Sequence, residues 1–202
     1  MNKDFIIDNC AVILLAAGAS VRLGTPKQLL NYKGSSFLKN MITVAKSSRL
    51  SPVIVVLGAN VTSMASEITD SAIHAVHNED WAEGIASSIR CGIRALEKFA
   101  SATDAAVIMV CDQPFLTSSL LNDLLTAQQK TGKPIAAAYY DNTPGTPALF
   151  HKAFFQELLL LKGDKGAGKM LQQDDLVVTV PFPMGAVDVD TINDYEKLDK
   201  ND

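Results

Sequence analysis

One stretch decides the fold: residues 14–30, LLAAGASVRLGTPKQLL. Its apolar part belongs to the run AVILLAA at residues 11–17, and a loop of small residues then carries Arg22 and Lys27. A short, nearly continuous apolar run is typical of a strand that is buried on both faces, as in a parallel sheet. We therefore predict a buried strand, a loop over residues 18–27, and a helix that begins near Ser35.

The same alternation of apolar runs and helical patterns continues along the chain. Further strands are predicted at residues 52–57, 105–111 and 134–140, with a weaker one at residues 71–77. Apolar residues at helical spacing fill the gaps between them, as in the stripe Ile85, Ile89, Ile93 and Leu96. This order predicts one α/β domain over residues 1–202, with a three-layer, Rossmann-like, mostly parallel, doubly wound sheet.

Residues 142–150, NTPGTPALF, are less regular than the rest of the chain. A proline cannot donate to the hydrogen-bond ladder of a sheet, so prolines are confined mainly to edge strands and bulges. The two prolines of this segment therefore favour an edge strand or an ordered loop over a central strand.

Composition excludes several classes of protein. The 202 residues are 48% hydrophobic and 20% charged, a normal balance for a globular protein, and the net charge is −4. That charge argues against a general binder of nucleic acid or acidic membranes. No apolar run approaches the ~20 residues of a membrane span, and the N-terminus lacks the apolar core of a secretory signal. Three cysteines without a CxxC pair indicate reduced thiols, so we expect a cytoplasmic protein.

The loop at residues 18–27 has the chemistry of a phosphate site. It matches neither GxGxxG nor GxxxxGK[ST], because Gly24 is followed by Thr25, Pro26 and Lys27. Its small residues allow the backbone to approach a nucleotide closely. Arg22 offers a forked donor and Lys27 a compact charge, both suited to phosphate. The alternative is a plain turn between strand and helix with two solvated cations.

Three aspartates are candidates for a metal site. Asp112 directly follows the apolar run at residues 105–111, where it either caps the next segment or holds Mg²⁺. Asp188 and Asp190 are two residues apart, a spacing that places both carboxylates on one face of an extended segment. Adjacent carboxylates repel unless they are exposed, protonated or share a cation. Asp190 is also compatible with an N-cap for a helix that begins near Thr191.

These motifs resemble those of a known family. The signature LxAGxSxRxGxPK is similar to that of the nucleotidyltransferases of molybdenum cofactor, within the MobA-like NTP transferase family. Ala17 stands where guanylyl-transferring members usually have the first of two glycines, so the chain most resembles cytidylyl-transferring members. Leu23 replaces a usual methionine. Five further segments resemble family motifs in the expected order: NxxWxxGxxSSxxxG from Asn78, DQP from Asp112, GTPALF at residues 145–150, GDKGA at residues 163–167, and VDVDT at residues 187–191.

The resemblance implies a fold of the nucleotide-diphospho-sugar transferase type and a Mg²⁺-dependent reaction. CMP would pass from CTP to the terminal phosphate of a molybdopterin-type acceptor, with release of pyrophosphate. The implied catalytic residues are Arg22, Lys27 and Asp112, and the implied metal ligands are Asp112, Asp188 and Asp190. The implied nucleotide-binding residues are Leu15, Ala16, Ala17, Gly18, Arg22, Lys27, Asn78 and Ser87. A molybdoenzyme or its maturation chaperone is the expected protein partner, with no nucleic acid and no membrane.

Other functions remain open from the sequence. The first alternative, within the same enzyme class, is the transfer of CMP or GMP to a different phosphorylated small molecule. An oxidoreductase on a Rossmann-like sheet is a second alternative, and the missing GxGxxG counts against it. A non-catalytic nucleotide sensor or cofactor chaperone is a third, although loss of the acidic set would be its usual mark and that set is intact.

Overall fold

A seven-stranded sheet forms the centre of the protein in a computed structural model that describes residues 5–20, 24–189 and 191–199. The strands are β1 (Cys10–Ala16), β2 (Asn31–Tyr32), β3 (Ser35–Ser36), β4 (Val53–Leu57), β5 (Ile73–His77), β6 (Ala105–Val110), β7 (Ile135–Tyr140), β8 (Thr143–His151) and β9 (Val177–Pro181). The order in the sheet is β5-β4-β1-β6-β8-β7-β9, while β2 and β3 form a separate pair. Only β8 runs antiparallel to its neighbours among these seven strands, so the predicted mostly parallel sheet is confirmed.

Helices cover both faces of the sheet. They are α1 (Phe37–Lys46), α2 (Val61–Ala65), α3 (Ile85–Phe99), α4 (Ser118–Thr131), α5 (Phe155–Leu159), α6 (Gly168–Leu171) and α7 (Ile192–Asp199). Successive residues of β1 point to opposite faces, so Val12 and Leu14 pack with α1 and α4, whereas Ile13 and Leu15 pack with α3 and α5. The predicted three-layer α/β architecture is therefore confirmed.

The helix starts follow from local capping. The hydroxyl of Thr117 accepts a hydrogen bond from the backbone N–H of Leu120 at 3.2 Å, which makes Thr117 the N-cap of α4. Asp112 therefore does not cap that helix. Thr191 and Asp194 form a reciprocal capping box at α7, in which the Asp194 carboxylate accepts from the Thr191 N–H at 2.9 Å. The cap of α7 is thus Thr191, one residue beyond the predicted Asp190.

The expectation of an edge strand or loop at residues 142–150 is wrong. β8 lies inside the sheet between β6 and β7, and residues 148–151 pair with β6 on one side. Pro144 lies in the part of β8 that pairs with β7 alone, opposite Tyr139. Pro147 falls at a shift of register between β7 and β8 and is paired with neither neighbour. The prolines are tolerated because each lies where an inner-strand donor is not needed.

The topology brings the ends of four strands together. β5, β4, β1 and β6 are neighbours and run parallel, so their carboxyl ends lie along one edge of the sheet. Ligands of such sheets bind beyond that edge. In the part of the chain that the structure describes, every helix is too short or too polar to cross a membrane.

Candidate active site

A cleft of about 330 Å³ opens at the carboxyl ends of β1 and β6. We call it the β1–β6 cleft. Six of the residues predicted to bind nucleotide or metal line it: Leu15, Ala16, Ala17, Gly18, Lys27 and Asp112. Trp81, Ser88 and Asp164 contribute further side chains from the loops that face β1. The structure therefore brings the loop after β1 and the carboxylate after β6 to one place, as the parallel topology requires.

Lys27 and Asp112 meet inside this cleft. The Lys27 ammonium lies 2.5 Å from the Asp112 carboxylate, and the two side chains are only 18% and 22% exposed. Lys27 begins a 3-10 helix over Lys27–Leu29, and Asp112 is the second residue after β6. A residue suited to phosphate and a residue suited to a metal ion thus share one point of the site. Partial enclosure strengthens the interaction of each with a charged ligand, relative to open solvent.

Gln28 was missed by the sequence analysis, although it adjoins Lys27. Its side chain is 1% exposed. The amide nitrogen donates to the carbonyl oxygens of Ala16 at 3.1 Å and Gly18 at 2.8 Å. The amide oxygen accepts from the Ser20 hydroxyl at 3.2 Å, and Ser20 Oγ accepts from the Lys27 backbone N–H at 3.0 Å. Gln28 therefore links both ends of the described part of the loop.

Asn78 and Ser87 lie beside the cleft, and neither is among its lining residues. Asn78 is 4% exposed, and its amide nitrogen donates to the hydroxyls of Ser87 at 2.8 Å and Ser88 at 3.1 Å. Its amide oxygen accepts from the backbone N–H of Asp80 at 3.1 Å. These contacts tie the end of β5 to the start of α3. In this arrangement Ser88, rather than Ser87, contributes to the wall of the cleft.

A clamp holds the turn that carries Asp164. Arg90 donates to both carboxylate oxygens of Glu83 and to the carbonyl oxygen of Leu161. Glu83 also accepts from the Gly163 backbone N–H at 3.0 Å. The hydrogen bond from Arg90, followed by that from Gly163, lowers the pKa of Glu83 to about 2. Asp164 is thereby held over the N-terminus of α3, as a second carboxylate in the β1–β6 cleft that the sequence analysis did not assign.

Two glycines allow neighbouring segments to approach each other closely at the walls of the cleft. A Cβ at Gly58 would lie 2.6 Å from the Ala17 carbonyl oxygen and 2.6 Å from the Cβ of Trp81. Gly84 has a φ of +118°, and a Cβ there would collide with Asp164 and Gly163. The cleft is therefore built on contacts that tolerate no side chain at either position.

Asp188 lines a different cleft. A second opening of about 380 Å³, which we call the C-terminal cleft, lies against α7. Its lining residues are Phe115, Met184, Ala186, Val187, Asp188, Asp194, Lys197 and Leu198. Residues 187–189 belong to no strand. This acidic segment contacts the edge of the sheet through a hydrogen bond from the Val189 N–H to the Asp112 carbonyl oxygen at 3.2 Å.

Asp112 is the predicted metal ligand that the structure places in the β1–β6 cleft. Within residues 5–20, 24–189 and 191–199, no three His, Cys, Asp or Glu side chains converge on one point. Arg22 and Asp190 lie outside those residues. Mg²⁺ commonly uses one or two protein carboxylates and completes its shell with water and substrate phosphates. A partly exposed carboxylate beside a loop whose residues are suited to phosphate fits that mode of binding.

Comparison with known proteins defines the class. Residues 12–177 match the MobA-like NTP transferase domain. The chain is 29% identical to nicotine blue oxidoreductase of Paenarthrobacter nicotinovorans and 29% identical to purine catabolism protein PucB of Bacillus subtilis, with 92% of this chain and 94% of each relative covered. A protein of Bacillus mycoides named "Probable molybdenum cofactor guanylyltransferase" is 21% identical, over 83% of this chain and 82% of its own length.

A solved structure of similar shape holds a divalent metal. Rv0371c of Mycobacterium tuberculosis, in complex with manganese, is 27% identical and superposes with a TM-score of 0.77. The match covers 94% of this chain and 97% of that one. The family match over residues 12–177 gives the class, that of the nucleotidyltransferases, and this chain belongs to the MobA-like NTP transferase family.

Proposed function

We propose that this protein transfers CMP from CTP to the terminal phosphate of a molybdopterin-type acceptor in a Mg²⁺-dependent reaction that releases pyrophosphate. The observation that carries the proposal is the 2.5 Å contact between Lys27 and Asp112 beside the backbone of residues 15–18. A triphosphate whose metal is bound to Asp112 would have its phosphates within reach of Lys27. The metal ion and the triphosphate would therefore both have binding residues in one cleft.

Different residues of the cleft would bind different parts of the nucleotide. The backbone of Leu15, Ala16, Ala17 and Gly18 would hold the nucleotide, and Lys27 with Arg22 would neutralise its phosphates. Asn78 and Ser87 are proposed nucleotide-binding residues as well. Because Asn78 and Ser87 are hydrogen-bonded to each other, we favour an indirect role for them. They would support the wall that contains Ser88 and would not contact the nucleotide directly.

The chemistry needs no general base from the protein. A phosphate monoester is already a nucleophile at neutral pH, so the acceptor phosphate attacks the α-phosphorus of CTP, and the bond from that phosphorus to the bridging oxygen of pyrophosphate breaks. The protein contributes alignment of the two phosphates and stabilisation of the charge on the reacting oxygens. Lys27 would supply a fixed positive charge for that purpose.

Asp112 would hold the Mg²⁺ ion, and Asp188 and Asp190 are the candidates for a second carboxylate. When bound, the metal supplies positive charge that offsets the repulsion between two anionic substrates. The relative that binds manganese supports a divalent ion in this fold. The choice of Mg²⁺ follows from the preference of that ion for carboxylate and phosphate oxygens.

The choice of base and acceptor rests on the motifs of the loop. Ala17 in place of the first of two glycines favours CTP over GTP, and the relative named as a molybdenum cofactor guanylyltransferase supports an acceptor of the molybdopterin type. The product would then pass to a molybdoenzyme or to its maturation chaperone.

The test is a pyrophosphate-release assay. Each of the four nucleoside triphosphates is supplied with Mg²⁺, with and without molybdenum-loaded molybdopterin. We expect release that depends on the acceptor and is fastest with CTP. Faster release with GTP would reassign the base, and no acceptor-dependent release with any triphosphate would reject the proposed reaction.

One relative favours a second candidate function. Nicotine blue oxidoreductase matches 92% of this chain, so an oxidoreductase activity is the alternative, with a nicotinamide dinucleotide as the electron donor to test. The loop after β1 has no GxGxxG motif for a dinucleotide. Oxidation of NADH or NADPH by the purified protein in the presence of a quinonoid dye, followed at 340 nm, would support the alternative over nucleotidyl transfer.

A further inference from the structure

Gln28 makes three hydrogen bonds to the loop that forms a wall of the β1–β6 cleft. Its amide nitrogen has two hydrogen atoms, and they are used on the carbonyl oxygens of Ala16 and Gly18. The carbonyl oxygen between them, that of Ala17, accepts from the Ala59 backbone N–H at 3.1 Å. All three peptide oxygens of this wall therefore point to donors of the protein itself.

This arrangement matters for an anionic ligand. A trans peptide directs its N–H opposite to its C=O, so each fixed carbonyl oxygen also fixes the direction of the following N–H. The negative ends of three peptide dipoles are held against Gln28 and Ala59. The wall is thereby prevented from turning these oxygens towards a phosphate, which they would repel.

The same side chain also sets the position of Lys27. The Gln28 amide oxygen accepts from Ser20, and Ser20 Oγ in turn accepts from the Lys27 N–H. Ser20 has a φ of +54°, a left-handed conformation that non-glycine residues seldom adopt. A conformation of that kind persists where the surrounding hydrogen bonds fix it. Gln28 thus connects the backbone wall with the residue that bears the ammonium group.

We propose that Gln28 is a positioning residue for the triphosphate, acting through the backbone of residues 16–18 and through Ser20 on Lys27. The inference rests on the proposed function, because it assigns the ligand of this wall as the phosphate chain of a nucleotide. A side chain that only filled space would be replaceable by an apolar one of similar length. A side chain that aligns the wall requires an amide.

The chain offers a matched control in Gln128. This residue is also 1% exposed, and its amide nitrogen also donates to two carbonyl oxygens, those of Phe5 at 2.8 Å and Lys133 at 3.1 Å. Gln128 lies in α4 and is not among the lining residues of the β1–β6 cleft. The variants Gln28→Met and Gln128→Met each remove a pair of hydrogen bonds to backbone carbonyl oxygens, and Gln28→Met also removes the bond accepted from Ser20.

The experiment measures CTP affinity by calorimetry with Mn²⁺ present, the KM values for CTP and for molybdopterin, and the unfolding midpoint. We expect Q28M to weaken CTP binding and to raise the KM for CTP by about tenfold, the equivalent of losing one to two hydrogen bonds. The KM for the acceptor should stay within about twofold of the wild-type value. Q128M should lower the unfolding midpoint about as much as Q28M does, and it should leave CTP affinity unchanged.

The outcomes separate the two proposals. Unchanged CTP affinity in Q28M, or an equal loss of affinity in Q128M, would overturn the role of Gln28. Wild-type protein that binds CTP without releasing pyrophosphate would contradict the proposed reaction alone. Wild-type protein that binds no nucleoside triphosphate would contradict both. Gln28→Glu is a second variant, in which a carboxylate faces two carbonyl oxygens, and CTP affinity at least as low as that of Q28M is expected.

Discussion

The β1–β6 cleft and the C-terminal cleft are similar in volume and both are lined by charged residues, yet they lie at different places in the fold. Both contain aspartates and a lysine, and their volumes are about 330 and 380 Å³. The first lies at the carboxyl ends of parallel strands and has a buried side chain, Gln28, that fixes its wall. The second lies between the 3-10 segment Pro183–Ala186 and helix α7. The two clefts are therefore distinguished by where their charged residues lie in the topology, and not by which types of charged residue they contain.

The sharpest test of this comparison is Asp112→Ala. We expect turnover to fall by on the order of a thousandfold, because the proposed metal ligand of the β1–β6 cleft is removed. Pyrophosphate release measures the effect, and circular dichroism with thermal unfolding shows whether the fold persists. Wild-type activity in this variant would contradict both the metal assignment and the distinction between the clefts.

Lys27→Met is expected to have the next largest effect. Turnover should fall by about a hundredfold, because a fixed charge on the phosphates is lost. Affinity for Mn²⁺ without nucleotide should rise by about fivefold, since the ammonium group no longer occupies the Asp112 carboxylate. Electron paramagnetic resonance of free Mn²⁺ measures the second quantity. Lys27→Arg retains the charge and serves as the control, and a fall in Mn²⁺ affinity in K27M would disprove the competition.

Asp188→Asn probes the C-terminal cleft. We expect turnover to decrease by less than about tenfold, because Asp188 lines a cleft other than the one that contains Asp112, and Asp190 remains as the other candidate for the second carboxylate. The same pyrophosphate assay applies, with Asp194→Asn as a second substitution at the same cleft. A loss as large as that of Asp112→Ala would mean that Asp188 reaches the metal, and the two clefts would then act as one site.

The smallest effect is expected for Glu83→Gln, which loosens the clamp on the turn of Asp164. The folded-state pKa of Glu83 is about 2, below its ordinary value of 4.5, so its contribution to stability is present above pH 4.5 and is lost as the pH falls towards 2. The melting temperature of wild type should exceed that of E83Q near neutral pH, and the difference should disappear in that acidic range. A difference independent of pH would exclude the ionised Glu83 as its source.

Much of the fold was predictable because hydrophobic runs and helical stripes are local signals. The runs at residues 11–17 and 105–111 became β1 and β6, and the predicted helical stripe from Ile85 to Leu96 lies in α3. The position of β8 was not predictable from its prolines. Whether a proline lacks a required donor depends on which neighbour pairs at that residue, and the pairing is set by the assembled sheet.

The site was predictable where it lies directly after a strand, as at Gly18 and Asp112. Gln28 escaped notice because an isolated glutamine beside a lysine has the appearance of a solvated residue, and its partners lie ten and twelve positions upstream. Asp164 joins the cleft only because Glu83 and Arg90 hold its turn against α3. Contacts of this kind arise after the chain is folded and leave no periodic pattern in the sequence.

Gly58 has one more consequence, for the width of the cleft. It stands at the end of β4 between the Ala17 carbonyl oxygen and Trp81, with no room for a methyl group. The missing side chain of this glycine lets the loop after β1 and Trp81 approach each other, so the spacing of these two parts of the cleft lining depends on it. Any larger group at position 58 would force one of them to move, so a residue that does not itself line the cleft fixes the geometry of the lining.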